Sequence, residues 1–240
     1  MVNPTAEKIV FDVSASPSEN LKRMPENARW AVKKNYVEGE DQLFLESLVK
    51  GTLKIVTDGS HHPEEHVATA AVHVEAEDGS TLTLILQTPG NQVDPQSHRA
   101  ELSGHFVMVM ALELLCDWAK KEDEDIQSVG AVVGCDKKES LQIYDNEYWF
   151  GSQQRDCDLL KSLQLRLQSM EMMVTGKRVK GHQDDMWSID QLDWWGRTNV
   201  RCDQLAKAHL SKTTNVLPRQ QAHSGWFPEE NVRTHVKGTK

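Results

Sequence analysis

Cysteine is scarce: Cys116, Cys135, Cys157 and Cys202 are the only thiols in 240 residues, and no two form a Cys-x-x-Cys pair. That excludes a zinc knuckle and a disulfide framework, and it points to a reducing, intracellular compartment. Long apolar runs are lacking as well. The longest, Phe106 to Leu112, stops at Glu113, far short of a membrane span. Residues 1–20 are mixed and polar, without the charged-then-apolar order of a secretory signal. Internal repeats, low-complexity tracts, heptads and exposed apolar stripes are missing, so a monomer without a membrane partner is expected. The apolar fraction, 38%, is modest but sufficient for a core, which excludes wholesale disorder. The length fits one sizeable domain with extensions, or two small ones.

Positive charge is short, with a net charge of −9, and that balance alone argues against a nucleic-acid binder. The deficit is uneven, however. From Gly176 to Lys240 there are 11 Lys+Arg against 7 Asp+Glu, a local charge of +4, while the rest of the chain carries −13. Such asymmetry fits either solvated surface or a basic C-terminal face beside an acidic, cation-binding centre.

Residues 1–24 read as a loose leader, and the run after Pro25 as a helix start, with a second short helix over Asp41–Lys50 stopped by Gly51. Leu53, Ile55 and Val56, with Thr52 and Thr57, predict a strand ended by Gly59 that delivers Asp58 to its C-terminal end. Val67–Glu77 and Thr81–Gln87 alternate apolar and polar residues around Asp78-Gly79, a hairpin signal. Thr88–Gln96 is a loop, and Ser97 caps a long helix from His98 to about Lys121 with an apolar stripe at helical spacing. Ser128–Gly134 predicts a buried strand suited to parallel pairing. Helices are expected over Leu141–Phe150 and Asp156–Met170, then a strand over Met172–Val179 and a closing helix over Asn199–Leu210. The tail after Ser211 reads as loop. The predicted fold is α/β: a mixed five-stranded sheet, three antiparallel strands then two parallel, flanked by helices. The domain limits are 51–212, between a leader (1–50) and a tail (213–240).

Four acids stand where chemistry could use them: Asp58 at a strand end, Glu101 early in a helix, Asp136 after an apolar strand, and Asp203 early in the last helix. Singly, each reads as a turn cap, helix charge or surface acid. Together, if the fold brings them to one place, they form a cluster of like charges tolerable only around a cation. Thr57-Asp58-Gly59-Ser60, Arg99-Ala100-Glu101-Leu102 and Cys135-Asp136 carry three of them. Val179-Lys180-Gly181-His182 and Asn199-Val200-Arg201-Cys202-Asp203-Gln204-Leu205-Ala206 complete the set.

In that order these motifs resemble the ribonuclease H family, over residues 51–212. The resemblance implies a metal-dependent endonuclease that cuts the RNA strand of an RNA/DNA hybrid with two Mg²⁺ ions, or Mn²⁺ in their place. It implies Asp58 bridging both ions, Glu101 and Asp136 holding one, Asp203 the other, and Glu101 also meeting an RNA 2′-hydroxyl. His182 matches the family's loop histidine, which assists proton transfer. The leader and tail look like the flanks of such domains in retroelement polyproteins, implying fusion to, or work with, a reverse transcriptase.

This chain departs from compact family members in the 20 residues between His182 and Asp203. That insert holds Asp184, Asp185, Asp190, Asp193, Trp187, Trp194 and Trp195. The tryptophans read as loop anchors or as stacking faces, anchoring being favoured for at least two. Gly59, Ser60, Asn91, Gln96 and Asn199 are candidate substrate contacts across a minor groove. Lys177, Arg178, Lys180, Arg197 and Arg201 are candidate phosphate contacts, in place of a basic insertion that the Lys137–Lys161 region lacks. His61-His62 with His66 invites a zinc reading, but adjacent histidines do not easily face one metal, and a polar loop is favoured. Two rivals stand: a DNA-cutting nuclease or transposase of the same fold, and an inactive binding or spacer domain.

Overall fold

The aliphatic and β-branched run after Leu53 forms strand β2 (Lys54–His62) in the computed structural model, which describes residues 12, 14–24, 28–90, 97–126, 129–145 and 155–217. Strand alternation divides its side chains between two faces. Ile55 joins the large core on one face, while Val56 packs with Cys202 and Ala206 on the other. β2 does not stop at Gly59. It pairs antiparallel with β3 (Val67–Glu75) from Lys54↔Glu75 through Asp58↔Ala71 to His62↔Val67. β3 pairs antiparallel with β4 (Thr81–Gln87). In the connecting turn, Gly79 sits at φ +92 and Ser80 donates to the Asp78 carboxylate, the chemistry expected of Asp-Gly.

β5 (Gly130–Cys135) pairs parallel with β2, and β6 (Met173–Arg178) parallel with β5. The expected five strands become six. β1 (Lys34–Glu38) adds antiparallel to β4, from Lys34↔Ile85 to Glu38↔Thr81, giving the order β1-β4-β3-β2-β5-β6. Its sequence, Lys-Asn-Tyr-Val-Glu, has little strand signal of its own. The open edge of β4 supplies the partner groups that make it a strand. Apart from this edge strand, the arrangement is the ribonuclease H-like fold.

Helix α3 (Ser97–Lys121) lies on the Ile55 face of the sheet, with α2 (Asp41–Val49) and α5 (Cys157–Ser169) packed on it. α3 is long and apolar enough to cross a membrane by length and composition, but most of it is buried in this fold; it is the core helix. On the Val56 face lies α6 (Trp194–Leu210), fastened by the Thr69 hydroxyl, which donates to the Ala206 carbonyl at 2.8 Å. α6 begins at Trp194 rather than Asn199 because the Asp193 carboxylate accepts from the Gly196 N–H at 2.8 Å and caps it. The long segment before it contains short 3₁₀ turns at Gln183–Asp185 and Ile189–Gln191.

The N-terminal segment differs from its sequence reading. Pro17–Lys22 forms a helix, α1, whose first turn is closed by the Ser16 N–H donating to Glu19 at 3.2 Å. Of the helix expected after Pro25, residues 25–27 lie outside the described residues, residue 28 is 3₁₀ and residues 29–31 form a turn. Ala28, Trp30 and Ala31 are all buried. Between β5 and α5, α4 (Lys138–Leu141) and a 3₁₀ turn at Gln142–Tyr144 replace the start of the expected Leu141–Phe150 helix, whose remainder lies outside the described residues.

Candidate active site

The alternation that turns Ile55 and Thr57 toward α3 turns Val56 and Asp58 toward α6. There the Asn199 amide donates to Asp58 Oδ2 at 3.3 Å, and the Gly59 N–H donates to Oδ1 at 2.8 Å. Asp58 is buried. Burial, with added repulsion from Asp136 and Asp203, pushes its carboxyl up to about 8.

Glu101 reaches the same point from α3, across the sheet end. A Cβ on Gly59 would lie 2.7 Å from the Glu101 nitrogen and 2.8 Å from the Ala100 carbonyl carbon. Only glycine lets the helix come so near. A second clearance lies one turn along, where a Cβ on Gly104 would collide with the Thr57 hydroxyl. Gly59→Ala must therefore displace backbone, and we expect it to cost about 1–3 kcal/mol and to move Glu101 away from Asp58. A lowered urea midpoint, with weakened divalent-ion binding, is the expected readout.

Glu101 is buried, and burial first, then the charges of Asp58 and Asp136, holds its carboxyl well above the usual range. The Cys135 thiol lies 3.7 Å from Glu101 Oε2 as a weak donor. Burial pushes that thiol up, so it stays protonated. Donor atoms of Glu101, Cys135 and Asp136 lie within 4.8 Å of one another. The Asp136 carboxyl is raised by burial, an effect that His182 and Lys137 oppose. Gly181 makes the approach of the His182 loop possible, because any Cβ there would strike Asp136 Oδ2. Asp203 faces the site from α6, and Lys207 donates to it at 2.7 Å.

Asp58, Glu101, Asp136 and Asp203 thus line one cavity of about 230 Å³, together with Gly59, Asn199 and the exposed His182. The other residues singled out by sequence fall elsewhere. Ser60 lies on β2 opposite Thr69, outside the cavity lining. Lys180 lines a neighbouring groove. Arg201 is exposed and acts electrostatically on His73 and Cys202. Asn91 and Gln96 lie outside the described residues. His61 and His62 extend β2, and no metal-ligating group among the described residues includes them.

Lys137, which the motifs do not single out, lines the cavity and donates to the Ser97 hydroxyl at 2.8 Å. Its position directly after Asp136, at the C-terminal end of a parallel strand, was the available signal. The four carboxylates fit a hard divalent ion. They supply oxygen donors only, and the one sulfur at hand keeps its proton.

No family model matches the chain, and no curated protein sequence does. Among solved structures, the chain is similar to a ribonuclease H1 isolated from compost by a metagenomic approach, at 14% identity over 67% of this chain and 96% of that one, with a TM-score of 0.45. The same enzyme in complex with an RNA/DNA hybrid is similar at 15% identity over 67% and 97%, with a TM-score of 0.43. The ribonuclease H1 of the halophilic archaeon Halobacterium salinarum is similar at 14% identity over 67% and 98%, with a TM-score of 0.38.

Proposed function

We propose that this chain is a metal-dependent endonuclease that hydrolyses the RNA strand of RNA/DNA hybrids with two Mg²⁺ ions, or Mn²⁺ in their place. The observation that carries this reading is the convergence of Asp58, Glu101, Asp136 and Asp203, from β2, α3, the end of β5 and α6, on one cavity. Burial and mutual repulsion push three of these carboxyls upward, and a divalent ion is what relieves such a cluster. The choice of hybrid rests on the motif resemblance around Asp58, Glu101, His182 and Asp203.

Bound ions would activate water and stabilise the departing oxygen. Asp58, Glu101, Asp136 and Asp203 would hold the ions. The amides of Asn199 and Gly59 fix the Asp58 carboxylate through its two oxygens. His182, exposed and brought close to Asp136 by Gly181, is placed to take or give a proton. Lys137, tied to Ser97, sets a positive charge at the cavity for a backbone phosphate.

The test uses end-labelled RNA/DNA hybrid, duplex DNA, duplex RNA and single strands, each with Mg²⁺, Mn²⁺ or EDTA. The expected result is cleavage of only the hybrid's RNA strand with either metal, reduced about a thousandfold in Asp136→Asn, as befits the loss of several kcal/mol of metal-borne stabilisation. Cleavage of duplex DNA would replace the substrate while keeping the chemistry. No cleavage by folded protein, alone or with a reverse transcriptase added, would leave a hybrid-binding spacer.

A further inference from the structure

A second, larger cavity of about 470 Å³ opens on the other side of the His182 loop. Lys177, Arg178 and Lys180 line it from the end of β6, and Trp187 and Trp195 line it from the insert and the first turn of α6. Among the described residues, none of the three cations forms an ion pair. The one carboxylate in the lining, Asp193, is committed to capping α6. The other acids of the insert, Asp184, Asp185 and Asp190, do not line the groove. In a chain of net charge −9, this is a local excess of unpaired positive charge.

The two rings differ in what holds them. Trp195 packs against Gly134 and the edge of Trp194, with Lys177 Nζ 4.5 Å over its face. Trp187 is 55% exposed. Uncompensated cations beside an available indole face match the chemistry of single-stranded nucleic acid, whose phosphates need cations and whose unpaired bases need a stacking partner. Duplex bases already stack on one another and leave such a ring nothing to cover. The groove adjoins the carboxylate cavity along the chain, residue by residue. Lys180 lines the groove, Gly181 lies against Asp136, and His182 lines the cavity.

We infer that this groove binds a single-stranded extension of the nucleic acid held at the carboxylate cavity, with phosphates on Lys177, Arg178 and Lys180 and a base stacked on Trp187. The inference rests on the hydrolytic reading of the adjacent cavity. It is tested by fluorescence anisotropy in an Asp136→Asn background with Mg²⁺, so that nothing is cut. Blunt hybrid is compared with hybrids bearing a short single-stranded extension at each of the four strand ends in turn.

At least one extension is expected to tighten binding about tenfold, and Trp187→Ala to remove that gain. Trp187→Phe, which keeps an aromatic face, is expected to retain most of it. Replacing both Lys177 and Arg178 by Gln should flatten the dependence of log affinity on log salt for the extended hybrid by about 1.4. The inference is overturned if no extension adds affinity, or if the gain survives Trp187→Ala. Cleavage by the parent protein is scored separately: cleavage without the gain refutes the groove alone, and the gain without cleavage refutes the hydrolytic reading alone.

Discussion

Metal-free protein is expected to lose stability as pH rises between 3.8, the ordinary value for an aspartate, and about 8, the value of Asp58 in this fold. The sign follows from proton counts. In that window the folded state keeps a proton on Asp58 that the unfolded state releases, so raising the pH favours unfolding. The stabilising contribution is complete below the unfolded value and gone above the folded one. For one group the slope approaches about 1.4 kcal/mol per pH unit, and Glu101 and Asp136, also raised, steepen it.

Urea midpoints across this range are the measurement. Asp58→Asn should flatten the profile and make the metal-free protein more stable at the alkaline end, although it should abolish cleavage. The gain is reduced by about 1 kcal/mol, since an amide oxygen and nitrogen do not accept from both Gly59 and Asn199. Mg²⁺ should restore the parent selectively at high pH by binding the folded state. A profile that stays flat without metal would show that burial and mutual repulsion do not raise these carboxyls as placed here.

The second large effect concerns Arg99, two residues before Glu101 and almost wholly buried. Its guanidinium donates to Asp156 at 2.8 Å, to both oxygens of Asp158 at 3.1 and 2.9 Å, and to the Pro89 carbonyl at 2.5 Å. One side chain thus joins the loop before α3, the first turn of α3 and the first turn of α5. Burial would raise the Asp156 carboxyl, but hydrogen bonds from His98 and Arg99 outweigh it and hold the group below its usual value.

Arg99→Ala removes the guanidinium from the buried Asp156 and the half-buried Asp158, and we expect a loss of about 3–5 kcal/mol. Arg99→Lys keeps the charge and loses the planar fork, so an intermediate loss is expected. Denaturant unfolding gives both values. An Arg99→Ala loss no larger than that of a surface substitution would remove this clamp from the account. Because the clamp fixes the turn that presents Glu101, Arg99→Lys should also weaken Mg²⁺ binding in protein that remains folded.

Much of the site was legible without coordinates, and the reason is local. Asp58 follows five residues of strand-forming character, and Glu101 follows a helix start. Each motif therefore carried its own element and the end of that element at which the acid stands. The residues that make the acids meet were not legible in this way. Gly59 reads from sequence as a strand end and candidate substrate contact, and its role as a clearance, like those of Gly104 and Gly181, is visible only against Glu101, Thr57 and Asp136. Arg99 stands beside Glu101 in the motif, but its carboxylate partners are 57 and 59 residues away. Asn199, a candidate substrate contact by sequence, donates to Asp58 in the structure.

By itself, the sequence determined the alternating strands, the apolar core helix, the four acids and their order, because periodicity and motif spacing are properties of neighbouring residues. Only the tertiary structure decided that Lys34–Glu38 is a strand, that Lys137 lines the carboxylate cavity, and that Lys177, Arg178, Lys180 and Trp187 share a groove. Those outcomes depend on an open sheet edge, on a helix brought close by missing side chains, and on an insert folded back beside a strand end. Contacts between distant segments are set by packing and by the need to satisfy buried polar groups, and neither requirement is written in any one stretch of the chain.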